Sequence, residues 1–254
     1  MSRLQRVAST TRAGWYSFLR RRTAVFFTFF FPVIIVGIFA GLVQTQPTGG
    51  GIFAEPPAYY IPGYLAVVVL FTPLSRVGSE IARHRDGSQF EKLATTPLKR
   101  WEWLLAQTLV NVVVIGLAGL LLLGLTVLVT GVSIPLSAST LLLVPFVAVG
   151  VALFCGLGAL LGNFSDSQDG VIAASNAIAL PLLFLSETFV TPDLLPTWFR
   201  PAMELSPLTY FSRGVRGLTY SDAAPSLVLT NLGILCVLAL GFFVAGAVTV
   251  PRTD

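Results

Sequence analysis

Charge is what this chain of 254 residues has least of. Asp, Glu, Lys and Arg make up 11% of it against 54% hydrophobic residues, with a mean hydropathy of +0.80. A soluble domain carries about 25% charged residues. So few could not cover a globular surface, and the composition fits an all-α integral membrane protein. Histidine is nearly absent. His84 alone cannot build a metal cluster or a His-based triad, and in a polar segment it reads as solvated. Cysteine is scarce too: Cys155 and Cys236 lie inside apolar runs and read as buried thiols, which excludes a disulfide framework. There is no G-x-x-x-x-G-K-[ST] loop, so the chain cannot cradle ATP in that manner. No repeat with a period of roughly 20–50 residues is found.

The charge that is present is uneven. The net +4 comes from 14 Arg and 2 Lys against 12 acids, and in a membrane protein a basic excess reports topology first. Residues 1–22 read as an interfacial helix. Leu4, Val7, Thr11, Trp15 and Phe18 share one face, while Arg6, Arg12 and Arg20 point elsewhere, among head groups. A basic flank that merely orients the first span is the plainer alternative. Six apolar spans are expected at 23–43, 59–75, 104–130, 139–162, 171–186 and 224–250, each judged against the ~20 residues that cross the hydrocarbon. The first is too long for the core of a signal peptide and is interrupted by Pro32 and Gly37. Tyr59, Tyr60 and Tyr64 form an aromatic belt at the start of the second, and Trp101 and Trp103 mark the return to the interface before the third. Thirteen basic residues fall on the side of the two termini and three (Arg200, Arg213 and Arg216) on the other, so both termini are expected in the cytoplasm. Asn111, Asn176 and Asn231, and the glycines Gly116, Gly119, Gly124, Gly150, Gly156, Gly158 and Gly162, read as helix-packing positions, including at a dimer seam.

Residues 76–103 hold Arg76, Arg83, Arg85, Lys92, Lys99 and Arg100 with Glu80, Asp86, Glu91 and Glu102, the longest charged run between apolar segments. Asp86-Gly87-Ser88 reads as a turn, with Ser88 as N-cap and Glu91 completing a capping box. Phe90, Leu93 and Ala94 give a short apolar face, and Pro97 ends the helix at Thr96. Such a helix can bury that face in a groove on a partner. A solvated loop held by head groups accounts for the same residues, and physics alone leaves the two open.

The second unusual stretch, 187–222, is rich in proline and aromatics. It is too apolar for a free loop and too broken for one span, so it reads as short re-entrant helices buried in protein or lining a cavity; a surface-packed hairpin is the alternative. Glu187, near the end of the fifth span, is expected either to pair with Arg213 or Arg216 or to meet a cationic substrate group.

The pattern Glu80…Arg83-x-Arg85-Asp86-Gly87…Glu91-Lys92-Leu93…Thr96-Pro97-Leu98-x-Arg100 resembles the cytoplasmic loop of ABC-2 type transporter permeases, and LLPTWFRPAMELSPLTYFSRGVR (194–216) is similar to that family's second signature. Thr197 between Pro196 and Trp198, Ser206 in place of a frequent Asn, and Glu187 in place of a small residue depart from it. The resemblance covers nearly the whole chain. It implies a permease without its own ATPase, working with a separate ATP- and Mg-binding ATPase subunit and a second permease chain, alike or homologous, in the plasma membrane, with no nucleic acid and no cofactor of its own. It implies that a coupling helix near Ser88–Thr96 docks on the ATPase, making Arg85, Asp86, Gly87, Glu91, Lys92, Leu93, Thr96, Pro97, Leu98 and Arg100 the coupling residues. It also makes Glu187, Trp198, Pro207, Tyr210 and Arg213 candidates for the substrate path or gate. Cargo in the family ranges from drugs to lipid-linked glycans; the small external mass here favours a small amphipathic or lipid-like one. A secondary transporter or channel would want acids or unwound segments at the bilayer midplane. An intramembrane enzyme would want a nucleophile with a base or a metal. Neither pattern is found.

Overall fold

The computed structural model describes residues 2–38, 55–134, 138–191 and 195–251. Among the described residues all regular structure is helical, in ten α-helices: α1 Arg3–Arg20, α2 Arg22–Ile35, α3 Ile61–Asp86, α4 Gln89–Ala94, α5 Arg100–Thr130, α6 Leu143–Phe164, α7 Gln168–Phe184, α8 Arg200–Met203, α9 Pro207–Thr219 and α10 Pro225–Thr249. Among the described residues four stretches are long and apolar enough to cross a membrane: Pro57–Asp86, Arg100–Thr130, Ala138–Phe164 and Pro225–Thr249. The pair formed by α1 and Arg22–Ile38, bent by 83°, counts as a fifth if it crosses as one. The expected fifth span at 171–186 is α7, which at 17 residues is about 26 Å long, short of the ~30 Å hydrocarbon. For the first span, α2 continues as a π-helical turn at 36–38, and residues 39–43 lie outside the described ones.

Helix α3 is the axis of the bundle. Every residue from Tyr59 to Leu70 is buried, which is the condition under which a helix can be apolar all round. It packs against α5, α6, α7 and α9. The helix continues past the expected end of the second span at 75. It runs to Asp86 because no proline lies between Pro73 and Gly87, Gly78 being carried inside it against α6, and Glu80 pairs along the helix with Arg83 (i,i+3) and with His84 at 3.6 Å (i,i+4). From Pro57 it is about 45 Å long, so a ~30 Å core leaves roughly ten residues standing beyond it. Residues 76–86 of the expected 76–103 loop are therefore a helical extension of the second span.

Glycine sets the closest approaches. A Cβ on Gly158 would lie 2.4 Å from the Leu74 carbonyl oxygen, and one on Gly162 2.5 Å from that of Gly78, so the backbones of α3 and α6 touch along this i,i+4 pair. On the opposite face of α6, a Cβ on Gly156 would meet the Phe242 carbonyl oxygen of α10 at 2.5 Å. The α6 glycines are thus consumed inside the chain. Gly116 and Gly124 of α5 face open space.

Helix α1 lies against α5. Its apolar side is only partly as expected: Val7 and Phe18 are buried, whereas Leu4 is 83% exposed. Arg6 is not left among head groups. It donates to Glu102 from Nε at 3.1 Å and from Nη2 at 2.6 Å, because Glu102 is fully buried and a buried carboxylate needs a cation. The 187–222 stretch folds as a buried turn at Ser186–Phe189, the short α8 and the amphipathic α9, which packs on α3, α6 and α10.

Candidate functional site

At the charged end of the bundle, α4 is held by aromatic rings. Phe90 is 3% exposed. Its ring centroid lies 5.4 Å from that of His84 on α3 and 5.6 Å from that of Trp103 on α5, and His84 and Trp103 are 5.6 Å apart, all edge-on. A six-residue helix has no stability of its own, so this triad fixes where α4 sits. His84 is therefore not solvated as expected; it is a packing member of the site. The apolar face is also used differently: Phe90 is buried within the chain, while Leu93 is half-buried and Ala94 exposed. Beside them lies a cavity of about 280 Å³ lined by Leu93, Pro97, Leu98, Trp103, Val250 and others.

The expected capping box is not formed. Ser88 has φ 50° and ψ 34° and its side chain caps nothing, since an N-cap acts from extended backbone. Its N–H instead bonds Arg85 O at 2.9 Å, while that of Gly87 bonds Arg83 O at 3.1 Å. The turn thus closes α3 rather than opening α4. The far end closes as expected: Thr95 and Thr96 hydroxyls donate to the carbonyls of Lys92 (2.8 Å) and Leu93 (2.7 Å), and Pro97 follows.

Ten residues were expected to face the ATPase, and they divide. Arg85 donates to the carbonyl of Ser165, the C-cap residue of α6, and Arg100 Nη1 to that of Val248 near the end of α10 at 2.6 Å. Both arginines satisfy carbonyls at helix C-termini, where a cation is favoured, so neither is a free surface charge. Leu98 is half-buried against the core. Asp86, Gly87, Glu91, Lys92, Thr96 and Pro97 are exposed. The outward surface of α4 is thus a Glu91–Lys92 pair beside the rim of Leu93.

At the other end, the Glu187 carboxylate is 6% exposed and takes both arms of Arg213, from Nε to Oε2 at 2.8 Å and from Nη2 to Oε1. This bidentate geometry is the strong form of the interaction. Arg216 Nη2 donates to the Glu187 carbonyl at 2.6 Å, and its guanidinium lies 4.0 Å over the Tyr59 ring. Below them Ser186, Thr188 and Ser212 are linked through their hydroxyls, Thr188 to Ser212 at 3.1 Å. The turn after α7 is thereby tied to α9 and to the start of α3. Of the other expected gate residues, Pro207 is buried as the first residue of α9. Tyr210 bonds the Glu204 carbonyl at 2.8 Å, and Trp198 is 78% exposed. They do not converge with Glu187 on one cavity among those described. The Arg6–Glu102 and Phe90–His84–Trp103 contacts were missed from sequence. A glutamate at the third position of a long apolar helix was the available signal for the first.

Comparison with known proteins agrees with this architecture. Residues 5–220 match the family model described as ABC-2 type transporter. Among curated relatives, "Probable multidrug ABC transporter permease YbhS" of Escherichia coli is 25% identical over 185 residues, 72% of this chain and 48% of its own length. "Daunorubicin resistance ABC transporter permease protein DrrB1" of Streptomyces coeruleorubidus is 26% identical over 75% of this chain and 67% of its own. "Inner membrane transport permease YadH" of E. coli is 25% identical over 73% and 71%. The chain thus spans about half the length of YbhS.

Proposed function

The chain belongs to the ABC-2 type transporter family, and from that premise we propose that it is the membrane-spanning permease subunit of an ATP-binding cassette exporter. It carries a small amphipathic cargo, drug-like or of lipid or glycan type, out of the cytoplasm. The relatives named for multidrug transport and daunorubicin resistance favour the drug-like end. Its role is transport rather than catalysis. ATP and Mg bind a separate ATPase subunit, and a second permease chain completes the conduit, since one such chain forms half of a symmetric path. In this reading α2 and α7 belong to the two remaining spans of six, both termini lie in the cytoplasm of a plasma-membrane protein, and α4 is the coupling helix.

The observation that carries the proposal is the construction of α4. Its outward side offers Glu91, Lys92 and the edge of Leu93, while Phe90 ties the same six residues to α3 and α5 through His84 and Trp103. A load applied to the outward side reaches two transmembrane helices through packed rings, as shear between packed elements requires. At the far end the Glu187–Arg213 pair would hold the turn after α7 to α9 and open when those helices tilt, with Trp198, Pro207 and Tyr210 on the surrounding wall. Reconstitution of the chain with an ATPase subunit tests the proposal. Export should require ATP hydrolysis. Export driven by an ion gradient without ATP would instead establish a secondary transporter.

A further inference from the structure

We infer that the crook between α1 and α2 binds a phosphate anion, carried on a phospholipid head group or free in solution. The first observation is Arg76 of α3. Its side chain is half-buried, and among the described residues its five N–H donors make one contact at the hydrogen-bond limit, 3.5 Å to Asn111 Oδ1. Its flat face lies 4.4 Å over the Phe18 ring. The remaining donors open onto accessible space rather than protein, so they are free to take an anion.

The second observation is a cavity of about 60 Å³ against that side chain, walled by Arg76, Arg21, Ser17, Gln107, Glu80 and neighbours. A water needs roughly 10–15 Å³ of such space, which sizes the cavity for one small oxyanion. Arg21 reaches Glu80 only at 3.4 Å through both Nη atoms. The Glu80 carboxylate is already taken by Arg83 and faces His84 at 3.6 Å, so Arg21 can turn to a stronger partner. Two guanidinium forks, the Ser17 hydroxyl and the Gln107 amide then form a donor set for a tetrahedral phosphate. Glu80 is the one acid in that wall, against Arg21 and Arg76, and it is itself paired with Arg83.

The third observation says how a head group could arrive. The small cavity shares Ser17 and Arg21 with a larger one of about 460 Å³ lined also by Ala13, Tyr16 and Arg20. The site sits where the chain bends by 83° from α1 into the apolar α2, beside exposed Phe26, Phe27 and Phe30 that could lie along acyl chains. Basic side chains at such a depth attract anionic lipid. A phosphate here would tie α1, α2, α3 and α5 together at a corner separate from the outward face of α4.

The test is native mass spectrometry of the purified full chain with phosphatidylglycerol or phosphatidylcholine, each with and without millimolar inorganic phosphate. The wild type should retain phosphatidylglycerol at least about tenfold better than phosphatidylcholine. Arg21→Gln and Arg76→Gln should each cut retention by about tenfold, the scale of one charge-assisted contact, while Arg3→Gln at the far end of α1 should not. Displacement of the lipid by inorganic phosphate would make the free anion a competent occupant, and no displacement would make the lipid the ligand. Equal retention of both lipids with no phosphate binding would overturn the inference, as would unchanged retention in Arg21→Gln. That side chain is 41% exposed, so the variant remains a fair test if Arg76→Gln fails to fold.

Discussion

Replacing Phe90 with alanine should detach α4 without dismantling the bundle. The ring is 3% exposed and edge-on to two other rings. Truncating a buried Phe costs about 3–5 kcal/mol, of which the two ring contacts account for about 0.5–1.5 kcal/mol each. The site lies at the rim and can partly collapse, so the lower figure applies. About 3 kcal/mol is roughly two decades in an equilibrium constant. A six-residue helix cannot persist undocked, so that loss falls on the local opening of residues 88–98. Hydrogen exchange of the Glu91–Leu93 amides in the purified chain should therefore accelerate by about a hundredfold, with α3 and α6 amides unchanged. Phe90→Leu, which keeps most of the volume, should cost about 1 kcal/mol and accelerate exchange about fivefold. With an ATPase subunit present, Phe90→Ala should hydrolyse ATP but export poorly, since the load is no longer carried to α3 and α5. Exchange in Phe90→Ala equal to that of the wild type would refute the idea that the ring triad anchors this helix.

Three further outcomes follow from the packing. Gly158→Ala should abolish the monodisperse peak in size-exclusion chromatography, because its Cβ would meet the Leu74 carbonyl oxygen at 2.4 Å, whereas Gly116→Ala, facing open space, should leave it intact. Glu102→Gln should loosen the N-terminal helix, seen as faster tryptic cleavage within Arg3–Arg20 while the rest of the chain stays resistant, since the buried charge that Arg6 holds on α5 is removed. Glu187→Arg should lower the melting temperature in detergent and Arg213→Glu likewise, with the double exchange recovering most of the loss. A charge-assisted pair left half-made in a buried position costs about 1.5–3 kcal/mol, although the 34% exposure of Arg213 places this pair toward the lower figure.

Local pattern carried much of this architecture. The apolar runs located α5, α6 and α10 to within a few residues, while α4 ends at Ala94, two residues before the expected end at Thr96. Of the two partners expected for Glu187, Arg213 is the one that pairs with its carboxylate. The extension of α3 to Asp86 is legible in the sequence: Glu80, Arg83 and His84 are at helical spacing, and no proline lies between Pro73 and Gly87. Ser88 shows why a capping pattern is not a cap, for the same residues suit the C-terminal turn of the preceding helix, and the left-handed backbone at Ser88 decides for that turn. Arg6 and Glu102 are 96 residues apart, so no local rule pairs them. The roles of Arg85 and Arg100 depend on where the ends of α6 and α10 come to rest, which only the tertiary packing fixes. His84 seemed solvated from composition because its ring partners, Phe90 and Trp103, lie on two later helices.

The central claim is that α4 passes force from a separate ATPase to the transmembrane helices. Its most direct test is the double variant Glu91→Arg, Leu93→Asp, which changes the outward face and leaves Phe90 in place. It should be compared with the wild type for co-purification of the ATPase subunit and for ATP-dependent export from reconstituted vesicles. The account predicts a folded, membrane-inserted chain that loses both the ATPase and export. A double variant that keeps both would contradict it.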